Sequence, residues 1–314
     1  MKHANHQGQI NFSALILIIA LFFISSGYFI YTAYKGFREE KNRQILLEKR
    51  KAAWKNLEYI IENKTKNFNG QASIVIEDLD SGWQIAINKD KLIPAASLVK
   101  IPIMLSYFYA AEEGRVDLKN KVSLRMSEKV AGSKALQDFP AGSSFSIEEL
   151  FSPMIIQSDN TATNMLIDSL GFDALNVYFK KLGLKNTNIS RNMLDFKGRK
   201  AGIENYTTAE DMAYLLKMLY CKNFLDGKKS QQCLRILAQQ KINDRIPRKL
   251  PKGTYIAHKT GLENHVCHDV GIVFTGKGNF LICILVEHKD RFAKPSKKFI
   301  SDIAFLTYNY YQNL

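Results

Sequence analysis

From Phe12 to Tyr34 the chain runs 23 residues without a charge, rich in Leu, Ile and Phe. A stretch this long and apolar cannot be a solvated loop; as a helix it is long enough to cross the hydrocarbon core of a bilayer. Tyr28, Tyr31 and Tyr34 stand at its far end, where amphipathic rings favour the membrane interface. A cleaved signal peptide would have a shorter apolar core, and no A-x-A-like site precedes the charged segment. Residues 1–35 are therefore expected to form an uncleaved, single-pass membrane anchor. Lys35, Arg38, Lys41 and Arg43 follow the span and only Lys2 precedes it. That asymmetry would by itself keep the C-terminal bulk in the cytoplasm.

Beyond the anchor, residues 36–67 are highly charged, with Ile45, Leu46, Ala53, Trp54, Leu57, Ile60 and Ile61 spaced at a helical period, which predicts a stalk helix. Residues 68–314 form the remaining unit. Ser73–Ile76 and Trp83–Ile87 flank Asp78-Leu79-Asp80-Ser81-Gly82, the pattern of a β-hairpin. A long apolar helix is expected from about Ser97 to Glu113, and mostly helical patterns from there to about Gln240. Strands return at Thr254–His258, Asp269–Thr275 and Asn279–His288, with a closing helix over about Ser296–Asn313. Strands at both ends imply one sheet assembled from 68–116 and 241–314, with an all-helical lobe inserted at about 117–240. The fold class is thus α/β (α+β), an antiparallel sheet flanked by helices beside an all-α lobe, preceded by one transmembrane helix.

The formal net charge of +14 admits nucleic acid, an anionic membrane or an anionic substrate as partners. No zinc finger, Walker loop or RNA-binding aromatic signature supports nucleic acid. The basic segment around Lys49-Arg50-Lys51 reads as a solvated stalk face near anionic lipid. Four cysteines are too few for a disulfide scaffold, although Cys221 and Cys233 can pair if the unit is exported. His265-Val266-Cys267-His268 is not expected to bind metal, because neighbouring strand side chains face opposite ways. Neither a metal nor a cofactor is predicted.

Three short motifs carry the chemistry. In Ser97-Leu98-Val99-Lys100 the serine and lysine lie on one helix face, so the amine can reach the hydroxyl and serve as the base a serine nucleophile needs. The bland alternative is a capping serine with an exposed lysine. Ser158-Asp159-Asn160 lies between the helical segments Ile147–Ile156 and Thr161–Leu170, where a hydroxyl and an amide can both enter a cleft or simply cap a helix. Lys259-Thr260-Gly261 ends a predicted strand; lysine and threonine there suit a carboxylate, and glycine permits close approach of a substrate backbone. Each is weak alone, but their order and placement reinforce one another.

With these motifs, and with Thr161-Ala162-Thr163-Asn164, Tyr206–Met212 and Ile242–Pro247, the chain from about Asn69 onward resembles the serine penicillin-recognising enzymes, most closely the class A β-lactamase family. The resemblance implies a two-lobed β-lactamase/transpeptidase-like fold. It casts Ser97 as the acylated nucleophile, Lys100 as its general base or base partner, and Ser158 as proton shuttle to the leaving nitrogen. Asn160 would hold the substrate side-chain amide, Lys259 and Thr260 would bind the carboxylate, and Gly261 would let the substrate backbone approach. The N–H groups of Ser97 and Leu262 would form the oxyanion hole. The implied substrate is a β-lactam or a D-Ala-D-Ala-like peptide, placing the unit on the periplasmic side of a bacterial inner membrane. Long exported domains can override the charge bias.

One position departs from the family. The glutamate that activates the deacylating water follows an Ω-loop arginine by two, and Arg191-Asn192-Met193 has methionine there. Asp195 or Glu204 is the candidate replacement, the alternative being that Asp195 pins the loop. Acylation is therefore expected to be intact and deacylation to depend on geometry. Two other readings stay open: a peptidoglycan D,D-peptidase or transpeptidase, and a non-hydrolytic penicillin-binding sensor.

Overall fold

The computed structural model describes residues 12–313. Lys2 and the rest of residues 1–11 of the expected anchor lie outside the described residues. The chain divides into two compact units, Met1–Asn56 and Leu57–Leu314.

In the first unit the described residues are helical, part of α1 (Phe12–Lys66), an unbroken helix of 55 residues. Its most apolar 18-residue window has a mean hydropathy of 2.3, and side chains such as Phe22, Phe23 and Ile24 are exposed. This helix is long and apolar enough to cross a membrane.

The second unit begins on the last turns of α1, where Leu57 and Ile61 are buried. A hairpin follows, β1 (Gln71–Asp78) and β2 (Gln84–Ile87), with Asp78 Oδ1 accepting from the Asp80 and Ser81 N–H groups to fix the turn. The short β3 (Ile93–Pro94) leads into a 3-10 turn, Ala96–Val99, that continues as α2 (Lys100–Glu112). Next come β4 (Lys121–Ser123) and β5 (Ser144–Ser146), then α3 (Ile147–Ile156), α4 (Asn160–Leu170) and α5 (Phe172–Lys181). The short α6 (Phe196–Lys200), β6 (Tyr206–Thr207), α7 (Ala209–Tyr220) and α8 (Gly227–Leu237) complete the middle of the chain. Then β7 (Tyr255–Glu263), β8 (Val266–Thr275), β9 (Gly278–Glu287) and α9 (Lys294–Gln312) close it.

The sheet is antiparallel throughout, in the order β2-β1-β9-β8-β7, so strands from both ends of the unit assemble as expected. Register explains the site. Val75, Cys283 and Val270 pair in one row across β1, β9 and β8, all three belong to the main hydrophobic core, and the row ends at Lys259 on the edge strand β7. The same alternation that buries the three apolar side chains carries Lys259 into the interior.

Three features differ from expectation. β7 does not end at His258 but runs through Lys259–Glu263, because β8 starts at Val266 and supplies partners to its last residue. The polar pair Lys259-Thr260 and Gly261 hide this continuation from hydropathy. The inserted block is not wholly helical: β4 pairs with β5, and β6 pairs with β3. These strands are two or three residues long, too short to leave a periodic signal. Finally, Cys221 and Cys233 are both free thiols, the first exposed and the second buried on α8.

Candidate active site

The 3-10 turn that carries Ser97 is set by backbone strain and by packing. Ala96 has φ 45°, in the left-handed region that non-glycine residues avoid. The turn is anchored on both sides. Ala95 N–H donates to Asn205 O at 2.7 Å, and His268 Nε2 donates to Pro94 O at 2.9 Å. A Cβ at Gly261 would lie 3.4 Å from Ala95 O and 3.0 Å from His268 Cδ2, so glycine lets β7 pass directly against the serine turn. Ser97 itself is 9% exposed, and its hydroxyl makes no hydrogen bond among the described residues.

Lys100 is fully buried. Its Nζ donates to Ser158 O (2.7 Å), Ser158 Oγ (3.2 Å) and Asn160 Oδ1 (2.7 Å), with Asp159 O at 3.4 Å. These acceptors, rather than Ser97, hold the amine in this state. Burial pushes its pKa well below the usual lysine value, and the charge of Lys259 pushes in the same direction. Lys259, also fully buried, donates to Ser158 Oγ at 3.0 Å and to Thr260 O at 2.9 Å. Burial, then the nearby Arg245 guanidinium, lowers its pKa to about 7. One hydroxyl thus lies between two depressed ammonium groups, the chemistry of a proton relay.

The Ser158-Asp159-Asn160 segment divides its work. Ser158 has φ 59°, and Asp159 caps α4 by accepting from Ala162 N–H while also accepting from Ala135 and Leu136 N–H. Capping by the middle residue leaves its neighbours to face Lys100. The helix cap therefore falls on Asp159, while the Ser158 hydroxyl and the Asn160 amide oxygen accept from Lys100.

Thr260 is buried beside Lys259, and Leu262 is half exposed at the end of β7. Asp195 is placed differently. Its carboxylate caps α6, accepting from Gly198 N–H at 3.0 Å. Glu204 pairs with Arg191 at 2.6 Å and Arg199 at 3.3 Å. Neither carboxylate bonds to Ser97, Lys100, Ser158 or Lys259 among the described residues. Met193 is buried, with its N–H donating to Asn164 Oδ1 and its carbonyl accepting from Asn164 Nδ2.

Sequence reasoning passed over two participants. Arg245, one of the most deeply buried side chains, acts on Lys259 through its charge. His268 is buried and held neutral, its pKa lowered to about 4 chiefly by burial. Arg245 lies within Ile242–Pro247 and His268 within His265-Val266-Cys267-His268, and neither pattern signals these contacts. Among the described residues no three His, Cys, Asp or Glu side chains converge as metal ligands.

Comparison with known proteins follows the same outline. A family profile described as the beta-lactamase enzyme family matches residues 53–311. Beta-lactamase VEB-1 of Pseudomonas aeruginosa is 27% identical over 272 residues, covering 82% of this chain and 91% of that enzyme. A point mutant of PBP-A, solved as an acyl-enzyme complex with penicillin G, superposes with a TM-score of 0.75 at 31% identity, covering 83% of this chain and 97% of that one. A beta-lactamase from Sphaerobacter thermophilus gives a TM-score of 0.74 at 29% identity, with 83% and 98% covered.

Proposed function

The chain belongs to the beta-lactamase enzyme family, and we propose that it is a class A β-lactamase-like serine hydrolase that opens β-lactam rings through an acyl-enzyme on Ser97. What carries this is the chain of hydrogen bonds from Lys100 through Ser158 to Lys259 around a serine on a strained turn. The acyl-enzyme complex of the PBP-A mutant with penicillin G supports a β-lactam as the acylating ligand.

In this mechanism neutral Lys100, favoured by burial, takes the Ser97 proton as Oγ attacks the lactam carbonyl. The N–H groups of Ser97 and Leu262 stabilise the tetrahedral oxyanion. On collapse the C–N bond breaks and Ser158 passes a proton to the leaving nitrogen, recovering one from Lys100. Lys259 and Thr260, where Gly261 lets the substrate approach, receive the substrate carboxylate, and Asn160 holds its side-chain amide.

Hydrolysis of the acyl-enzyme is slow in this proposal. The place of the water-activating glutamate is filled by the buried Met193, and Asp195 is committed to its cap. The same observation favours a second function, a D,D-peptidase or transpeptidase acting on D-Ala-D-Ala-like peptides, for which that glutamate is dispensable. Fluorescent penicillin decides among these: slow but repeated turnover, with release of the opened β-lactam, marks a lactamase, and a stable adduct with release of D-alanine from a stem-peptide mimic marks the peptidase. A stable adduct without D-alanine release marks a penicillin-binding sensor. No adduct, or one that survives Ser97→Ala, refutes the Ser97 mechanism.

Residues 12–34 are proposed to anchor the protein in the inner membrane with the catalytic unit outside, where these substrates occur; the apolar window of α1 supports this. Protease digestion of intact spheroplasts should remove the catalytic unit, and full protection would place it in the cytoplasm.

A further inference from the structure

The Ω-loop is tied to the end of β7 by four side chains that close on one another. Arg191, 3% exposed, donates through Nε to Glu204 Oε1 at 2.9 Å and through Nη2 to both oxygens of Glu263 at 3.1 and 3.0 Å. Arg199, on α6, pairs with the same two carboxylates at 3.3 and 3.4 Å and donates to Asn264 O at 3.0 Å. Asn205 closes the neck of the loop, accepting from Ser190 and Arg191 N–H and donating to Arg191 O. Pinning the loop at its neck needs only Arg191, Glu204 and Asn205. The contribution of Glu263 is of another kind, because it belongs to β7.

Glu263 is the last paired residue of β7, opposite Val266, and directly follows Leu262. The turn after it contains His265 at φ 69°. β7 is an edge strand, so β8 holds Leu262-Glu263 from one side only. The Arg191 guanidinium supplies the second hold. Its Nη2 lies against both carboxylate oxygens of Glu263, a charge-assisted contact, and it acts one residue from the amide assigned to the oxyanion.

We propose that Glu263 is a positioning residue for acylation: through Arg191 it keeps the end of β7, and with it the Leu262 N–H, in register with the Ω-loop. This rests on Ser97 being the acylated residue. Displacing a reacting group by about 1 Å costs on the order of a hundredfold in rate, so loosening this hold should act on the chemical step.

The test is pre-steady-state labelling by fluorescent penicillin of the wild type, Glu263→Gln and Glu263→Ala, with hydrogen exchange at the Leu262 amide. The limiting acylation rate should fall roughly tenfold to a hundredfold in both variants, with the half-saturating concentration within about threefold. A purely structural role would lower the labelled fraction through unfolding while leaving the rate of the folded protein unchanged, and that result overturns the proposal. Faster exchange at Leu262 in Glu263→Gln is expected even under native conditions; unchanged exchange also overturns it. If the wild type takes no label, it is the Ser97 mechanism that fails, and the exchange measurement alone then decides the role of Glu263.

Discussion

Lys259 Nζ donates a 3.0 Å hydrogen bond to Ser158 Oγ, linking Lys259-Thr260-Gly261 to Ser158-Asp159-Asn160. Lys100 reaches the same oxygen at 3.2 Å. Removing that oxygen breaks the relay while leaving both lysines in place. Ser158→Ala should therefore slow acylation by about 10²- to 10⁴-fold, the usual range for general acid–base transfer. Stopped-flow labelling measures it, and a rate within a few-fold of wild type would show that protons take another route.

Binding should weaken on the alkaline side. Lys259 loses its proton as pH rises through about 7, well below its ordinary 10.5. Half-saturation by an anionic β-lactam should rise above that pH as the charge disappears. A penicillin methyl ester, lacking the carboxylate, should show no such rise. Parallel profiles for the two ligands would remove Lys259 from carboxylate recognition.

Met193→Glu should restore deacylation. The family resemblance puts the water-activating glutamate at this position, where the thioether is buried and Asn164 bonds the backbone N–H and carbonyl. We expect the lifetime of the penicilloyl adduct to shorten by at least about tenfold, a conservative part of what a positioned base contributes. An unchanged lifetime would mean that position 193 does not face the acyl bond.

Acid should destabilise the fold through His268. Its pKa is about 4 in the folded protein and 6.5 ordinarily, so the native state binds fewer protons between these values. Stability should be full above about pH 6.5 and decline toward pH 4, by up to about 3 kcal/mol from this residue. In His268→Gln that part of the slope should vanish; urea midpoints across the range test it, and an unaltered slope would assign the loss to other groups.

Arg191→Ala should destabilise by about 3–5 kcal/mol, because it leaves two buried carboxylates without their main partner. Urea denaturation gives the value, and a loss below about 1 kcal/mol would mean that Arg199 or water compensates.

Much of this architecture is legible in the sequence because its signals are local. Ile147–Ile156 and the helix after Ser158-Asp159 are delimited by capping residues, and α3 has the boundaries that the periodicity predicts. The sheet assembled from both ends follows from alternating apolar segments. What stays hidden depends on distant partners. The end of β7 looks polar because Lys259 bonds Ser158 and Glu263 bonds Arg191, and only its pairing with β8 shows that it is strand. The preference of Lys100 for Ser158 and Asn160 over its own helix neighbour requires chain 58 to 60 residues away. Asp195 reads equally as base or cap in sequence, and the cap is what its carboxylate makes.

The row of side chains that ends in Lys259 has a consequence for the solvent. With its pKa lowered to about 7, this buried amine is partly deprotonated at neutral pH before any ligand arrives. An anion placed against it favours the charged form, so the amine must draw a proton from the buffer as the ligand binds. Association of an anionic β-lactam near pH 7 should then consume a fraction of a proton per site, and its measured heat should shift with the ionisation enthalpy of the buffer.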